Sequence, residues 1–217
     1  MRFIAHANLE EYMLLARPAS LRIYGASDYA TMEPRAGKKE PDFTEHGVFG
    51  LSHTAELWAL AWWYKQCETD KGIAAFINLV RTWKPIKWFN EGGLIDKAIG
   101  PQIRKSMRDA RAFVAIEQLP SLQDKGVKLQ AFHAMASAGV IHFPMCAWGE
   151  RVVEQLIKFP AGRWDDAADV CGLIGRGVDK MFDAQLPFQE TKSIIVPFTE
   201  AWLEYNDRAS KPKVRYF

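Results

Sequence analysis

The sequence predicts an α/β fold: a mixed central sheet flanked by helices on both faces. Three observations predict it. Three strand-like runs come in succession, and beyond them strands and helices alternate. Hairpin-joined strands followed by crossovers give a mixed sheet. The run at 56–66 is apolar on both faces, as a central strand is. Hydrophobic residues make up 48% and charged residues 25% of the 217 residues, the balance of a packed globular chain rather than a disordered one.

Taken in order, residues 1–20 read as a helical lead-in or linker ending at Arg17-Pro18. Residues 21–28 alternate and end in Asp28, so they read as a strand. Residues 31–42 hold two prolines, a glycine and mixed charges, and read as a loop. A second strand covers 46–52. In the third, 56–66, strict alternation puts Leu57, Ala59, Ala61 and Trp63 on one face and Trp58, Leu60, Trp62 and Tyr64 on the other. Thr69 or Asp70 can cap a helix whose apolar stripe is Ile73, Phe76, Ile77 and Val80, stopped by Pro85. Strand 86–91 runs into Gly92-Gly93, and a helix follows over 94–108. Strand 112–117 is closed by Pro120. Helix 125–138 ends at Gly139, a residue suited to a left-handed C-terminal position. Segment 140–144 is short and apolar, and helices over 149–159 and 165–182 complete the pattern. The economical division is a lead-in at 1–20, one domain at 21–206 and a basic tail at 207–217.

Several function classes are excluded. The longest apolar run, residues 57–64, is far below the roughly 20 residues that span a bilayer. Asn8, Glu10 and Glu11 interrupt any secretory signal. Cys67, Cys146 and Cys171 are widely spaced and form no CxxC pair, which argues against zinc or a disulfide framework. The histidines form no HExxH motif, and no GxxxxGK[ST] phosphate loop is present. The formal charge is only +2, so a polyanion partner would be met by a local patch.

The candidate chemistry lies in acids at element ends. Asp28 closes the first strand, Glu91 closes the fourth, and Asp165 and Asp166 open the last long helix. The first strand is often central in a mixed sheet, so these acids can reach one edge. Converging carboxylates repel, and a hard divalent cation with oxygen ligands removes that cost. Each acid also has a plainer role: Asp165 or Asp166 as a helix cap, Glu91 and Asp28 as turn residues.

Four motifs in order then resemble the nuclease domain of phage terminase large subunits. Ser27-Asp28-Tyr29-Ala30, a polar loop and Asp42-Phe43-Thr44-Glu45-His46-Gly47 resemble its first acidic strand and the D-[YF]-T opening of the second. Trp88-Phe89-Asn90-Glu91-Gly92-Gly93 resembles its second acidic motif. Asp124-Lys125-Gly126-Val127-Lys128-Leu129-Gln130-Ala131 resembles its K-x-x-R-A helix start, departing where an Arg is often seen. Phe159-Pro160 followed by Trp164-Asp165-Asp166-Ala167-Ala168-Asp169 resembles its F-P…D-D-x-x-D-A signature. The resemblance spans about residues 20–185.

That resemblance implies an RNase H-like fold and a metal-dependent endonuclease that cuts double-stranded concatemeric DNA during viral genome packaging. The implied ligands of two Mg²⁺ or Mn²⁺ ions are Asp28, Glu91 and one of Asp165 and Asp166, with Asp166 slightly preferred and Asp169 in a supporting place. The implied partners are double-stranded DNA, a terminase ATPase domain absent from this sequence, the small terminase subunit and the portal. The implied location is the cytoplasm of an infected bacterial host. Candidate phosphate contacts are Lys125 and Lys128 first, then Arg35, Lys38 and Lys39, then Lys211, Lys213 and Arg215. A resolvase- or transposase-like nuclease and a non-catalytic docking module of the packaging motor are the competing readings.

Overall fold

The computed structural model describes residues 3–6, 12–13, 20–30, 42–162 and 164–181. Its strands are β1 (Ile4–His6), β2 (Arg22–Asp28), β3 (Thr44–Leu51), β4 (Leu57–Lys65), β5 (Lys87–Glu91), β6 (Ala115–Leu119) and β7 (Ile141–Pro144). Its helices are α1 (Thr69–Trp83), α2 (Leu94–Ala110), α3 (Lys125–Ala138), α4 (Ala147–Lys158) and α5 (Asp166–Gly177), the last followed by a 3₁₀ turn at Val178–Lys180. These residues belong to one unit, Met1–Gln185; the second unit, Leu186–Phe217, lies outside the described residues.

The strands form one seven-stranded sheet in the order β1-β7-β4-β3-β2-β5-β6. β2, β3 and β4 form an antiparallel meander. β5 joins β2 in parallel, and β6 joins β5 in parallel. β7 pairs in parallel with β4, and β1 with β7. β2 is therefore an interior strand, between antiparallel β3 and parallel β5. One face is covered by α1 and α2 through Ile73, Phe76, Val80, Ile103 and Met107. The other carries Leu129, Phe132, Val152, Leu156, Val170 and Ile174 from α3, α4 and α5.

Four sequence expectations change. Residues 4–6, read within a helical lead-in, form the edge strand β1. The alternation in β4 breaks at a bulge: Val48 faces Ala61 but Phe49 faces Ala59, so Leu60 is an extra residue. The extra residue shifts the phase, and Leu57, Ala59 and Trp62 share the α3–α5 face while Leu60 packs beneath α1. Strand β6 begins at residue 115 rather than 112. Arg111 closes α2 with a left-handed φ of 50°, and the N–H of Ala112 turns back to the Met107 carbonyl. The cap of α1 is Glu68, not Thr69 or Asp70, and its side chain makes no capping bond. As expected, Gly139 ends α3, with φ 73°, where a side chain would be strained.

Candidate active site

Strand alternation sorts the ends of the neighbouring strands β3, β2 and β5. On the α3–α5 side, Asp28 follows Ala26, Glu91 follows Phe89, and Glu45 faces Asp28 across the β2–β3 register. On the α1–α2 side lie their chain neighbours Ser27, Asn90 and His46. One edge of one face therefore collects three carboxylates.

Two helices meet that face. α3 starts on Asp124, whose carboxylate accepts from the N–H groups of Gly126 at 2.8 Å and Val127 at 3.2 Å. One turn later Lys128 points at the strand ends. Its Nζ lies 3.1 Å from Glu91 Oε2 and 3.5 Å from Asp169 Oδ1, and the Asp28 charge also acts on it. Burial lowers the Lys128 pKa, but Asp169, Glu91 and Asp28 outweigh it and hold the ammonium above its ordinary range. Burial likewise pushes Glu91 up, and Lys128 with the Leu122 N–H, 3.1 Å from Oε1, outweighs it and keeps the carboxyl below its usual range.

The rotation of α5 is set by close backbone contact. A Cβ on Gly172 would stand 2.8 Å from the Lys128 carbonyl oxygen, and one on Gly175 would stand 2.5 Å from the Phe132 nitrogen. Only glycines permit this approach. With Gly172 against the backbone of residue 128, Asp169 three residues earlier meets the Lys128 side chain. Asp165 and Asp166 sit at the helix start and are almost wholly buried, at 6% and 2% exposure. Asp165 occupies the cap position without a side-chain capping bond.

Glu45 is the acid that sequence reasoning passed over. It is fully buried and held by a fork from Arg151, with Nη2 2.6 Å from Oε1 and Nη1 3.2 Å from Oε2. Trp62 Nε1 donates to Oε2 at 2.7 Å. The Arg151 guanidinium lies 3.9 Å above the Tyr64 ring and 5.2 Å from the centre of Phe43. Burial raises the Glu45 pKa, the Arg151 and Trp62 bonds lower it, and the nearby Asp169 charge adds to the rise; the net direction is up. The register could have found Glu45, because it stands opposite Asp28.

Beneath the same strand ends runs a neutral network. Trp88 Nε1 donates to Ser27 Oγ at 2.7 Å, and Ser27 Oγ lies 2.8 Å from His46 Nδ1. His46 Nε2 lies 2.9 Å from the Gly72 carbonyl, which can only accept, so Nε2 carries the hydrogen and Ser27 donates to Nδ1. Burial lowers the His46 pKa to about 4, and the ring is neutral.

The expected residues thus divide. Asp28 and Glu91 share an edge, and Lys128 is turned inward onto the acids rather than outward to solvent. Asp169, expected in support, makes the direct contact with Lys128. Lys125 opens α3. Arg35, Lys38, Lys39, Lys211, Lys213 and Arg215 lie outside the described residues.

A metal must be weighed against this donor set. Among the described residues no group of three or more His, Cys, Asp or Glu side chains stands ready to hold an ion. The donors nevertheless fit hard cations: they are carboxylate oxygens, and they already surround one positive charge, the Lys128 ammonium.

The mixed sheet in this order, with helices on both faces, is the RNase H-like fold. No family model and no curated protein matches the sequence. Among solved structures, the chain is similar to the nuclease of the large terminase from thermophilic phage G20c, solved with bound zinc. That match has a TM-score of 0.51 at 12% identity, covering 71% of this chain and 80% of that one. It is similar to the large terminase nuclease domain of Thermus phage P74-26, with TM-score 0.51, 10% identity and coverage of 77% and 85%. It is also similar to the large terminase of another thermophilic bacteriophage, solved in complex with ADP, with TM-score 0.50 and 10% identity; there the match covers 71% of this chain and 39% of that chain. No helix among the described residues is long and apolar enough to cross a membrane.

Proposed function

We propose that this chain is a metal-dependent endonuclease for double-stranded DNA, the nuclease part of a phage genome-packaging terminase. One observation carries the reading: Lys128 lies between Glu91 and Asp169, with the Asp28 charge acting on it, at the carboxyl ends of two adjacent parallel strands. A purely structural ion pair needs one acid, whereas this edge gathers several that repel without a cation.

Asp28, Glu91 and Asp169 are the direct ligands in this proposal. Asp165 and Asp166, one turn earlier at the start of α5, deepen the negative field there. Two Mg²⁺ or Mn²⁺ ions, when bound, would polarise the phosphodiester and stabilise its attacking and leaving oxygens. Lys128 limits the repulsion among the acids and keeps its proton at Nζ. Glu45, buried and tied to Arg151, fixes the start of β3 against Asp28. The reading includes an ATPase domain, a small terminase subunit and a portal as partners, and the cytoplasm of an infected host as the location.

The test is supercoiled plasmid incubated with the purified chain and Mn²⁺. Relaxation or linearisation that EDTA abolishes is the expected result. Asp28→Asn should abolish cutting and leave the circular dichroism spectrum unchanged; full activity in that variant removes Asp28 from the site. A branched-DNA panel separates a resolvase-like preference from duplex cutting. Silence at high enzyme concentration points to a docking module.

A further inference from the structure

We infer that the exposed face of α2 is a phosphate track for duplex DNA, starting at the catalytic edge. α2 and the residue that closes it, 94–111, carry Lys97, Arg104, Lys105, Arg108 and Arg111 against two acids, Asp96 and Asp109. All five cations are exposed, while Gly100, Ile103 and Met107 form the buried stripe that adjoins them. At about 100° per residue, Lys97, Arg104 and Arg108 fall within an arc of about 40°, with Lys105 about 60° further on and Arg111 at the closing turn. Pro101, a neutral residue, falls between that arc and Lys105.

Elsewhere on this surface Lys71 pairs with Glu68, Lys158 with Glu154 and Lys180 with Glu117, while Lys65, Arg81 and Lys84 form no ion pair among the described residues; α2 differs in gathering its cations along one helix. Among the described residues none of the five α2 cations forms an ion pair. The chain as a whole carries only +2, so this excess is local. Unpaired cations in a row repel one another, and an extended polyanion relieves that cost.

Position selects the polyanion. α2 follows directly on Glu91-Gly92-Gly93, so its first turn lies at the carboxyl end of β5, beside the acidic edge. The Arg104 guanidinium folds back to within 3.3 Å of where a Gly100 Cβ would stand, which carries its charge toward that edge. From Lys97 to Arg111 the helix rises about 21 Å, the length of about six base pairs of duplex. The track would hold the duplex beside the cut without reading its sequence.

The inference rests on the nuclease reading only for the identity of the polyanion, and binding tests it apart from cutting. Fluorescence anisotropy with a 30-base-pair duplex in EDTA, over a series of KCl concentrations, compares the wild type with Arg104→Gln/Lys105→Gln/Arg108→Gln. A second variant, Lys71→Gln/Lys158→Gln/Lys180→Gln, removes the same formal charge from paired positions. Circular dichroism checks both folds. Loss of three phosphate contacts lowers the steepness of log K against log [salt] by about 2.7 in the α2 variant. The paired-position variant should keep the wild-type slope. An unchanged slope in the α2 variant, or equal losses in both, overturns the track. A wild type that binds with this pattern but cuts nothing leaves the track standing and removes the nuclease reading.

Discussion

The two faces of the acidic edge are built from the same three strand ends and are opposites. Ser27, His46 and Asn90 point to the α1–α2 side, and Asp28, Glu45 and Glu91 point to the α3–α5 side. On the first side the polar groups are neutral, and Trp88, Ser27, His46 and Gly72 pass hydrogen bonds in a closed line. On the second side charge is gathered and balanced by two cations from helices, Lys128 and Arg151. A strand that alternates can therefore anchor itself with one residue and expose chemistry with the next. Rigid neutral bonding beneath holds the strand ends that carry like charges above.

That contrast can be broken from either face. The largest stability loss should come from Arg151→Met. It leaves the fully buried Glu45 without its guanidinium, a change that costs about 3–5 kcal/mol by the measure of other buried pairs. Urea denaturation at pH 7 measures it, and a loss near zero would show that Glu45 takes up a proton without consequence.

The neutral face should fail in acid. His46 has a folded pKa of about 4 against an ordinary 6.5. The folded state resists protonation, so its contribution is whole above pH 6.5 and is lost as pH falls toward 4. The maximum is about 3 kcal/mol. Denaturation midpoints from pH 7 to 4 should fall by a one-proton slope in the wild type, and His46→Gln should lack that slope. Identical slopes would refute a buried neutral ring.

On the charged face, Asp169→Asn should lower Mn²⁺-dependent cleavage by more than about 100-fold, beyond the loss expected for an outer partner, and Asp166→Asn by only about 10-fold. The reverse order would return the ligand to Asp166. The smallest effect is expected for Lys128→Met. With three acids freed, its melting temperature in EDTA should drop, and Mg²⁺ should raise it more than in the wild type. Equal Mg²⁺ shifts in the two proteins would argue against a cation at that point.

Much of the scaffold was legible in the sequence. The Ile73–Phe76–Ile77–Val80 stripe and the acids at the ends of β2 and β5 followed from periodicity and turn residues. The phase of β4 was not, because the bulge at Leu60 is decided by pairing with β3, which local alternation does not encode. The three-residue strand β1 was hidden for a related reason: it exists only through its pairing with β7. The contact of Asp169 with Lys128 depends on how α5 rolls against α3. The signal was present in Gly172 and Gly175, whose missing side chains mark the contact line. Glu45 was quoted within a motif, but its role depends on Arg151, 106 residues away.

The pairing of β1 with β7 has a consequence for the birth of the molecule. Residues 4–6 are made well before their partner strand at residues 141–144. β7 also completes β4, and the buried Tyr12 hydroxyl reaches the Ala59 carbonyl at 2.8 Å and the His142 carbonyl at 3.1 Å. Until that late strand leaves the ribosome, the meander has an open edge and the first strand has nowhere to go. Such long-range closure is slow, and an open edge invites pairing with other chains. The half-made chain is therefore the vulnerable form, and chaperone demand should peak before residue 144 emerges.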